Sequence, residues 1–521
     1  MRINKYILSK FILFFLCGTV LYWMINTILQ KPKDEQWDAS GITRIYNDEY
    51  DFIFAGTSKV ICNVNTEELY LDYGISSVTV GEPSQPLYLT YYTLEETLKR
   101  QNPKAVLLDV SALFYSEEKI KTEMEEDEYH YVHLSLDKMK NNSTKYNALM
   151  QAKKLDEDLN VWNYLWPLYY NHSNWENISK SNFVRTSGKY VVNGNFLLTK
   201  IDDTWNEWTD ALNNVTEDKE EVEEFNEAYL DRIINLCKKN NVDVILIQGS
   251  ANVSGNPWKR YNTVQELAKQ YNISYLDINK YNNEIGIDWA LDSADMNHLN
   301  IVGSKKWTDF LGNFLSSQYE YTDYRSLDET NEFKKNIKVY QNLLELVEEK
   351  RALLQAINLY QYLDTLYNLN KKDNVIFISG SGENDINYTD YAKNMLYNIG
   401  FDMDLPEGSR WNYYGILDEG ELVNENISNE EVGEEGTLNN QNTYCILSGD
   451  AILGTKSSII INETEYGQCG IGINIVVYNK KYDEILSSVY FNINEKDNPS
   501  TGRIRNRIAQ IEKEINLWED E

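Results

Sequence analysis

From Tyr50 onward, short apolar runs alternate with stretches of helical periodicity, and this alternation limits the chain more than any other feature. The runs are DFIFAG at 51–56, SVTVG at 77–81, AVLLDVS at 105–111, VDVILIQG at 242–249 and ISYLDIN at 273–279. Being nearly continuous in apolar residues, they predict strands of a parallel sheet buried on both faces. Between them, LTYYTLEETLKRQNP and EEFNEAYLDRIINLCKKNN carry apolar residues at helical spacing and end in polar or Pro-containing text. A three-layer α/β domain over residues 45–322 follows.

Two segments depart from this rhythm. Residues from about 115 to 220 are acidic and aromatic, with EMEEDEYH and NVWNYLWPLYYNHSNW, and are expected to form an insertion over the carboxyl ends of the strands. Residues 326–372 are charged and periodic, which predicts a connecting helix or helical hairpin. After Lys372 come NVIFISG, WNYYGILDEGELV, TYCILSG, SSIIINETEY and INIVVYNKKYDEILSSVYF, with turn signals at Asp418-Glu-Gly and Asn479-Lys-Lys. These short alternating runs predict an antiparallel or mixed sheet in a second, α+β domain over residues 373–521.

Ahead of both domains, Phe11 to Leu29 reads FILFFLCGTVLYWMINTIL, 19 residues without a charge. That is long enough to cross a bilayer, so residues 1–30 are read as a cytoplasmic stub and a single membrane anchor. Arg2, Lys5 and Lys10 precede the run, whereas Lys31 and Lys33 are followed by Asp34, Glu35 and Asp38. The positive-inside bias then leaves the amino terminus inside and the bulk of the chain outside the cytoplasm. A cleaved signal peptide is the rival, but the run is long for one and no small-x-small cleavage site clearly follows. Leu16 stands before Cys17 where a lipobox has a small residue, so Cys17 is read as part of the span.

The formal net charge is −32, from 81 acidic against 49 basic residues, which argues against nucleic acid as a partner. Five cysteines with no CxxC and no Cys/His cluster indicate neither a disulfide framework nor structural zinc. Cys445 and Cys469 either pair outside the cell or are two buried thiols. Of the four histidines, His130, His133 and His172 fall in the insertion and are read as surface residues. His130 and His133 are three apart but have no obvious third metal ligand, and neither metal nor cofactor is expected.

The fourth histidine lies in Asp295-Met-Asn-His298. An acid three residues before the ring can accept from Nδ1–H within one turn and leave Nε2 to take a proton. At the end of the first run, Gly56-Thr57-Ser58 precedes a predicted helix. Such a serine stands at the carboxyl ends of the strands, where a helix start offers N–H groups to an oxyanion. Taken alone it reads as a helix cap; beside the Asp295–His298 unit it becomes a candidate nucleophile. Asp292 is a substitute for Asp295 at a less apt spacing, and Lys59 is read as a solvated side chain.

FAGTS at the first strand, Val80-Gly81 with PSQPLYLTYY just after it at the second, and DMNHLNIVGSKKWTDFL at the last helix resemble the SGNH (GDSL-like) hydrolases. The resemblance extends to their O-acyltransferase relatives in bacterial cell-envelope polysaccharide modification and covers about 50–320. It implies Ser58 as nucleophile, His298 as general base, Asp295 as its orienting carboxylate, and the N–H groups of Ser58 and Gly81 as an oxyanion hole. The family's Asn after the third strand falls near Ser111, a shorter oxyanion donor, and Thr57 stands where the family usually has Asp. Gly382-Glu-Asn384-Asp385 matches the family's Asn-containing block in letters, but it lies in the other domain and reads as a turn and helix cap.

The tail, through SSIIINETEYGQCGIGINIVVYNKKYDEILSSVYFNI, is similar to ILEI/PANDER-like domains over about 373–495. This second resemblance implies recognition, with carbohydrate the candidate ligand and Trp411, Tyr413 and Tyr414 the candidate stacking rings. Alternating aromatics on a strand are also what a core strand carries. Together the two resemblances imply a membrane-anchored, extracytoplasmic serine esterase or O-acyltransferase acting on acyl esters of cell-surface glycan. Its partners would be that glycan, the membrane and a membrane-bound acyl donor protein. The alternative is a catalytically inactive, glycan-binding envelope scaffold.

Overall fold

A computed structural model describes residues 5–29, 41–126, 130–178, 190–192, 194–202, 204–205, 209–251, 256–326, 332–369, 373–380, 390–402, 411–438, 442–449, 457–467 and 472–491. The chain divides into two compact units, residues 1–344 and 345–521. The first opens with helix α1, Lys5–Ile28, whose segment Ser9–Asn26 is long and apolar enough to cross a membrane.

Each of the five apolar runs forms one strand of a single parallel sheet. The strands are β1 Phe52–Ala55, β2 Ser77–Thr79, β3 Ala105–Asp109, β6 Asp243–Gln248 and β7 Ser274–Asp277, in the order β2-β1-β3-β6-β7. Alternate side chains leave opposite faces of the sheet. Ile53, Ala55, Val106, Leu108 and Leu246 join one core, where they meet helices α3 (Leu87–Leu98), α4 (Glu224–Lys239) and α5 (Pro257–Tyr271). Phe52, Phe54, Leu107, Ile245 and Ile247 join the other, against α2 (Ser58–Asn63) and α6 (Ile301–Gln318). The three layers follow from this two-sided burial. Because β1 is followed by β2 on one side and β3 on the other, the chain reverses direction across the sheet at β1, and the crevice outside such a reversal is where ligands bind in open α/β sheets.

The insertion holds short helices, among them Glu117–Glu126, His130–Leu136, Ser143–Leu155, Trp162–Leu165 and Pro167–Asn171, and a small antiparallel pair, β4 Val191–Val192 with β5 Asn195–Phe196. Contrary to the expected roof over the strand ends, His130–Leu136 and Ser143–Leu155 pack against α3, on a face of the sheet. The later part does reach the strand ends: the buried Asn195 donates to the carbonyls of Val60, Ile61 and Val64, closing the end of α2.

The predicted connector is two helices, α7 Glu332–Gln355 and α8 Leu359–Leu369. In the second unit α8 packs with α9, Asp390–Ile399. Its strands are β8 Asn374–Gly380, β9 Asn412–Asp418, β10 Glu421–Ser428, β11 Val432–Thr437, β12 Thr443–Ser448, β13 Ser458–Ile461, β14 Thr464–Glu465, β15 Ile473–Asn479 and β16 Glu484–Phe491. They form two antiparallel sheets, β10-β9-β8-β15-β16 and β11-β12-β13-β14, which share a core around Phe377, Ile446 and Val476. Glu419 and Gly420 both take left-handed backbone angles, φ 52° and 84°, the combination that joins β9 to β10 in a tight hairpin. Cys469 and Gly382–Asp385 lie outside the described residues.

Candidate active site

The chain turns sharply where β1 ends. Gly56 has φ 143°, and a Cβ there would meet the Asp109 Cβ at 2.6 Å, so conformation and close approach both require glycine. Thr57 caps α2: its hydroxyl oxygen accepts from the Lys59 amide at 3.3 Å and its hydroxyl donates to Asp109 Oδ2 at 2.5 Å. The Thr57 amide also donates to Asp109, at 3.2 Å. Ser58 is then the first residue of the helix, half-buried, with an amide that has no acceptor within the helix.

The loop before α6 brings His298 to this serine. His298 Nε2 lies 2.7 Å from Ser58 Oγ, and Nδ1 lies 2.9 Å and 3.1 Å from the two Asp295 carboxylate oxygens. Asp295 also accepts the amides of Asn297 at 2.7 Å and His298 at 2.9 Å. Burial pushes its carboxyl up, but the hydrogen bond and charge of the His298 ring, with those two amides, hold it below the usual 3.8. A carboxylate there favours a proton on Nδ1 and leaves the Nε2 lone pair facing the serine hydroxyl. Ser58 and the Asp295–His298 pair, 240 residues apart in sequence, are thus brought into one hydrogen-bonded chain.

Two residues outside that chain fix its geometry. Asn63, fully buried at the end of α2, accepts from the Leu299 amide at 2.9 Å and donates to the carbonyls of Gly249 at 2.7 Å and Asn297 at 3.3 Å. It therefore grips the backbone on both sides of His298 from the helix that carries Ser58. Asn300 caps α6, accepting from Val302 and Gly303 and donating to Leu291. Sequence reading passed over Asn63, because an asparagine at a helix end looks like any other polar terminus.

Gly81 sits beside the turn that carries Ser58. Val80 N–H donates to Phe54 O at 2.7 Å and Glu82 N–H to Gly56 O at 3.2 Å. A Cβ on Gly81 would lie 2.7 Å from Gly56 O and 3.0 Å from Thr57 O, so this approach admits only glycine.

Other sequence-based expectations need correction. Ser111 does not aim its hydroxyl at a reacting group: the hydroxyl donates to Asp109 Oδ1 at 2.7 Å, and the Ser111 amide donates to the same oxygen at 3.1 Å. Lys59 is buried, not solvated; desolvation lowers its ammonium to about 8, against Asp109 and Asp295 raising it, while Arg260 and Lys119 add to the lowering. Asp292 is no alternative orienting acid, because its fully buried carboxylate accepts from Lys306 Nζ at 2.7 Å and the Asp288 amide at 2.8 Å. His133 is no surface histidine: its ring stacks on Tyr164 and Tyr170 and Nδ1 lies 3.1 Å from Asp137. The His130 side chain lies outside the described residues.

Tyr413 and Tyr414, candidate sugar platforms, are buried in β9, their hydroxyls donating to Glu425 at 2.7 Å and Glu434 at 3.2 Å. They serve the core because both faces of this central strand are covered. Trp411, just before β9, is half-buried. Among the described residues, Glu68, Asp72 and Asp309 have the spacing of a metal site. Lys305 fills it, bonded to Glu68 and to Asp309 at 3.0 Å and lying 3.7 Å from Asp72, so the cation there is the protein's own.

No protein-family model matches the chain, and no curated protein matches it.

Proposed function

We propose that this chain is a membrane-anchored SGNH-type serine esterase or O-acyltransferase that acts outside the cytoplasm on acyl esters of a cell-surface glycan. The observation that carries the proposal is the continuous hydrogen-bonded chain from Ser58 Oγ through His298 to Asp295, at 2.7 Å and 2.9 Å. Ser58 Oγ attacks the ester carbonyl while Nε2 of His298 takes its proton, and Asp295 stabilises the imidazolium. The developing oxyanion takes hydrogen bonds from the Ser58 and Gly81 amides. Collapse breaks the ester C–O bond, the leaving alkoxide takes the proton from His298, and an acyl-serine remains. Water or a sugar hydroxyl then enters by the same route in reverse. The first gives an esterase and the second a transferase fed by a membrane-bound acyl donor.

The flanking charges support an outside location, with Arg2, Lys5 and Lys10 before the uncharged run Phe11–Leu29 and Asp34, Glu35 and Asp38 after it. The second unit is proposed as an ILEI/PANDER-like recognition domain. A second reading, a glycan-binding scaffold with little or no catalysis, draws support from Ser111, whose hydroxyl is given to Asp109 and not to an oxyanion. Loss of one oxyanion donor costs roughly two to three orders of magnitude in rate. A fluorophosphonate probe on the full-length protein in detergent separates the readings. Labelling lost in both Ser58→Ala and His298→Ala supports the enzyme, and a folded wild-type protein that takes no label supports the scaffold.

A further inference from the structure

The insertion carries an exposed aromatic face that the proposed chemistry does not use. Trp162, Trp166, Tyr169 and Trp175 are each at least half exposed, at 59%, 51%, 54% and 65%, and Ile178 adds 41%. The short helices that carry or flank them, Trp162–Leu165, Pro167–Asn171 and His172–Asn177, adjoin one another, and aromatic side chains exposed together on adjoining elements, unlike ones scattered singly, mark a surface made for contact.

Their position in the fold says with what. Helix Pro167–Asn171 packs against α1, and Asn174 Nδ2 donates to Leu29 O at 3.0 Å, at the carboxyl end of α1. Along α1 the side chains are exposed from Phe11 at 60% to Met24 at 49%, while the last turns are half covered. The apolar segment Ser9–Asn26 has 18 residues, which at about 1.5 Å per residue rise roughly 27 Å, close to the hydrocarbon thickness of a bilayer. The aromatic face therefore begins where that thickness ends. That is the depth at which Trp and Tyr are enriched, their rings in the acyl boundary and their polar edges among the headgroups.

Resting on the reading that α1 lies in a membrane, we infer that this face of the insertion lies in the lipid headgroup layer around the outer end of α1. The first unit is then held to the bilayer at two places, the helix and the aromatic face. An orientation fixed in this way sets the height of the Ser58 site above the lipid.

The test uses the full-length protein, labelled with 5-fluorotryptophan, in phosphatidylcholine nanodiscs. Fluorine resonances are assigned through single Trp→Phe variants. Nanodiscs doped with a phosphatidylcholine carrying a nitroxide near its glycerol are compared with nanodiscs bathed in a soluble gadolinium chelate. Trp23 in α1 reports the span, and Trp307, fully buried in the core, is insensitive to both agents. The expected result is loss of the Trp162, Trp166 and Trp175 signals, with that of Trp23, to the lipid nitroxide, and their survival in the chelate. Loss to the chelate with survival in the nitroxide lipid, while Trp23 still broadens, overturns the inference and leaves the rings to a soluble partner such as a glycan. A Trp23 signal untouched by the lipid label overturns the anchor, and the docking face falls with it.

Discussion

Replacing Asn63 by alanine tests whether the His298 loop is held by the helix that carries Ser58. The substitution removes three hydrogen bonds, at 2.9, 2.7 and 3.3 Å. It leaves the Leu299 amide and the Gly249 carbonyl in a buried setting with no partner from this side chain. An unsatisfied buried polar group costs about 1–3 kcal/mol. Two such groups, partly relieved by local relaxation, make a loss of about 2–4 kcal/mol, a large share of the total stability of an ordinary domain. The catalytic effect is separate, since His298 lies between Asn297 and Leu299, and a shift of about 1 Å in a reacting group costs about 100-fold in rate. Thermal unfolding followed by near-ultraviolet circular dichroism reports the first effect, and the rate of fluorophosphonate labelling well below the transition reports the second. The expected result is a transition lowered by several degrees and labelling slowed by one to two orders of magnitude, on the order of the misplacement penalty. Lowered stability with wild-type labelling refutes the positioning role, and no change in either refutes the whole line of reasoning. Asn63→Asp sharpens the test: it keeps an acceptor for the Leu299 amide but sets a carboxylate against two carbonyl oxygens, so labelling still falls.

Asp295→Asn removes the carboxylate that keeps the ring proton on Nδ1 and stabilises the imidazolium, and labelling is expected to fall by up to about 10⁴-fold. Because the Asp295 carboxyl titrates below 3.8 in the folded protein, its contribution to stability is complete above that pH and is lost as pH falls through the folded value. The gap in melting temperature between wild type and Asp295→Asn therefore closes in acid, and a gap that stays constant with pH refutes the assignment. For Lys59, lowered from 10.5 to about 8 by burial, the sign is reversed: the charged form is disfavoured on folding, with the full cost below about 8 and none above 10.5. Lys59→Met is expected to gain about 3 kcal/mol at neutral pH, the gain shrinking through that window in denaturant titrations; a gain independent of pH contradicts the buried charge. Gly81→Ala forces a Cβ to 2.7 Å from Gly56 O. A loss of about 1–3 kcal/mol is expected, with slower labelling from a displaced turn, and wild-type values of both would place Gly81 away from the nucleophile.

The parallel sheet was legible because the buried positions of β1, β3 and β6 are apolar up to the polar residues Asp109 and Gln248 at the carboxyl ends of β3 and β6, a pattern that survives without knowledge of the partners. The hairpin at Glu419 and Gly420 was legible for a similarly local reason, as turn residues in sequence between two alternating runs. Asp295 and His298 could be read because they are three residues apart and interact within one turn. Asn63 could not, since its partners lie 186 to 236 residues away and are backbone groups, which carry no residue identity. Lys59 was misread for the same reason: a lysine beside a nucleophile is solvated unless distant elements close over it. Tyr413 and Tyr414 stayed open between sugar platform and core because nothing in β9 itself says that a second sheet covers it.

The two departures from the Gly-Asp-Ser pattern and from the Asn after the third strand looked independent in the sequence, and in the fold they are one feature. Asp109, buried at the end of β3, accepts from the amide and hydroxyl of Thr57 through one carboxylate oxygen and from the amide and hydroxyl of Ser111 through the other. With threonine in the turn, the acid sits on the neighbouring strand, and the two hydroxyl residues supply the donors that satisfy it. An Asp at position 57 would bring a second carboxylate against Asp109, and an Asn at 111 would replace the Ser111 hydroxyl that donates to it, so either change disturbs the same carboxylate. The same network ties the turn carrying Ser58 rigidly to β3 and commits the Ser111 hydroxyl. Transition-state stabilisation in the proposed reaction then falls to main-chain amides, those of Ser58 and Gly81. This is why the tolerance of Gly81 to a single methyl group, more than any change at Ser111, measures how much catalysis this site can supply.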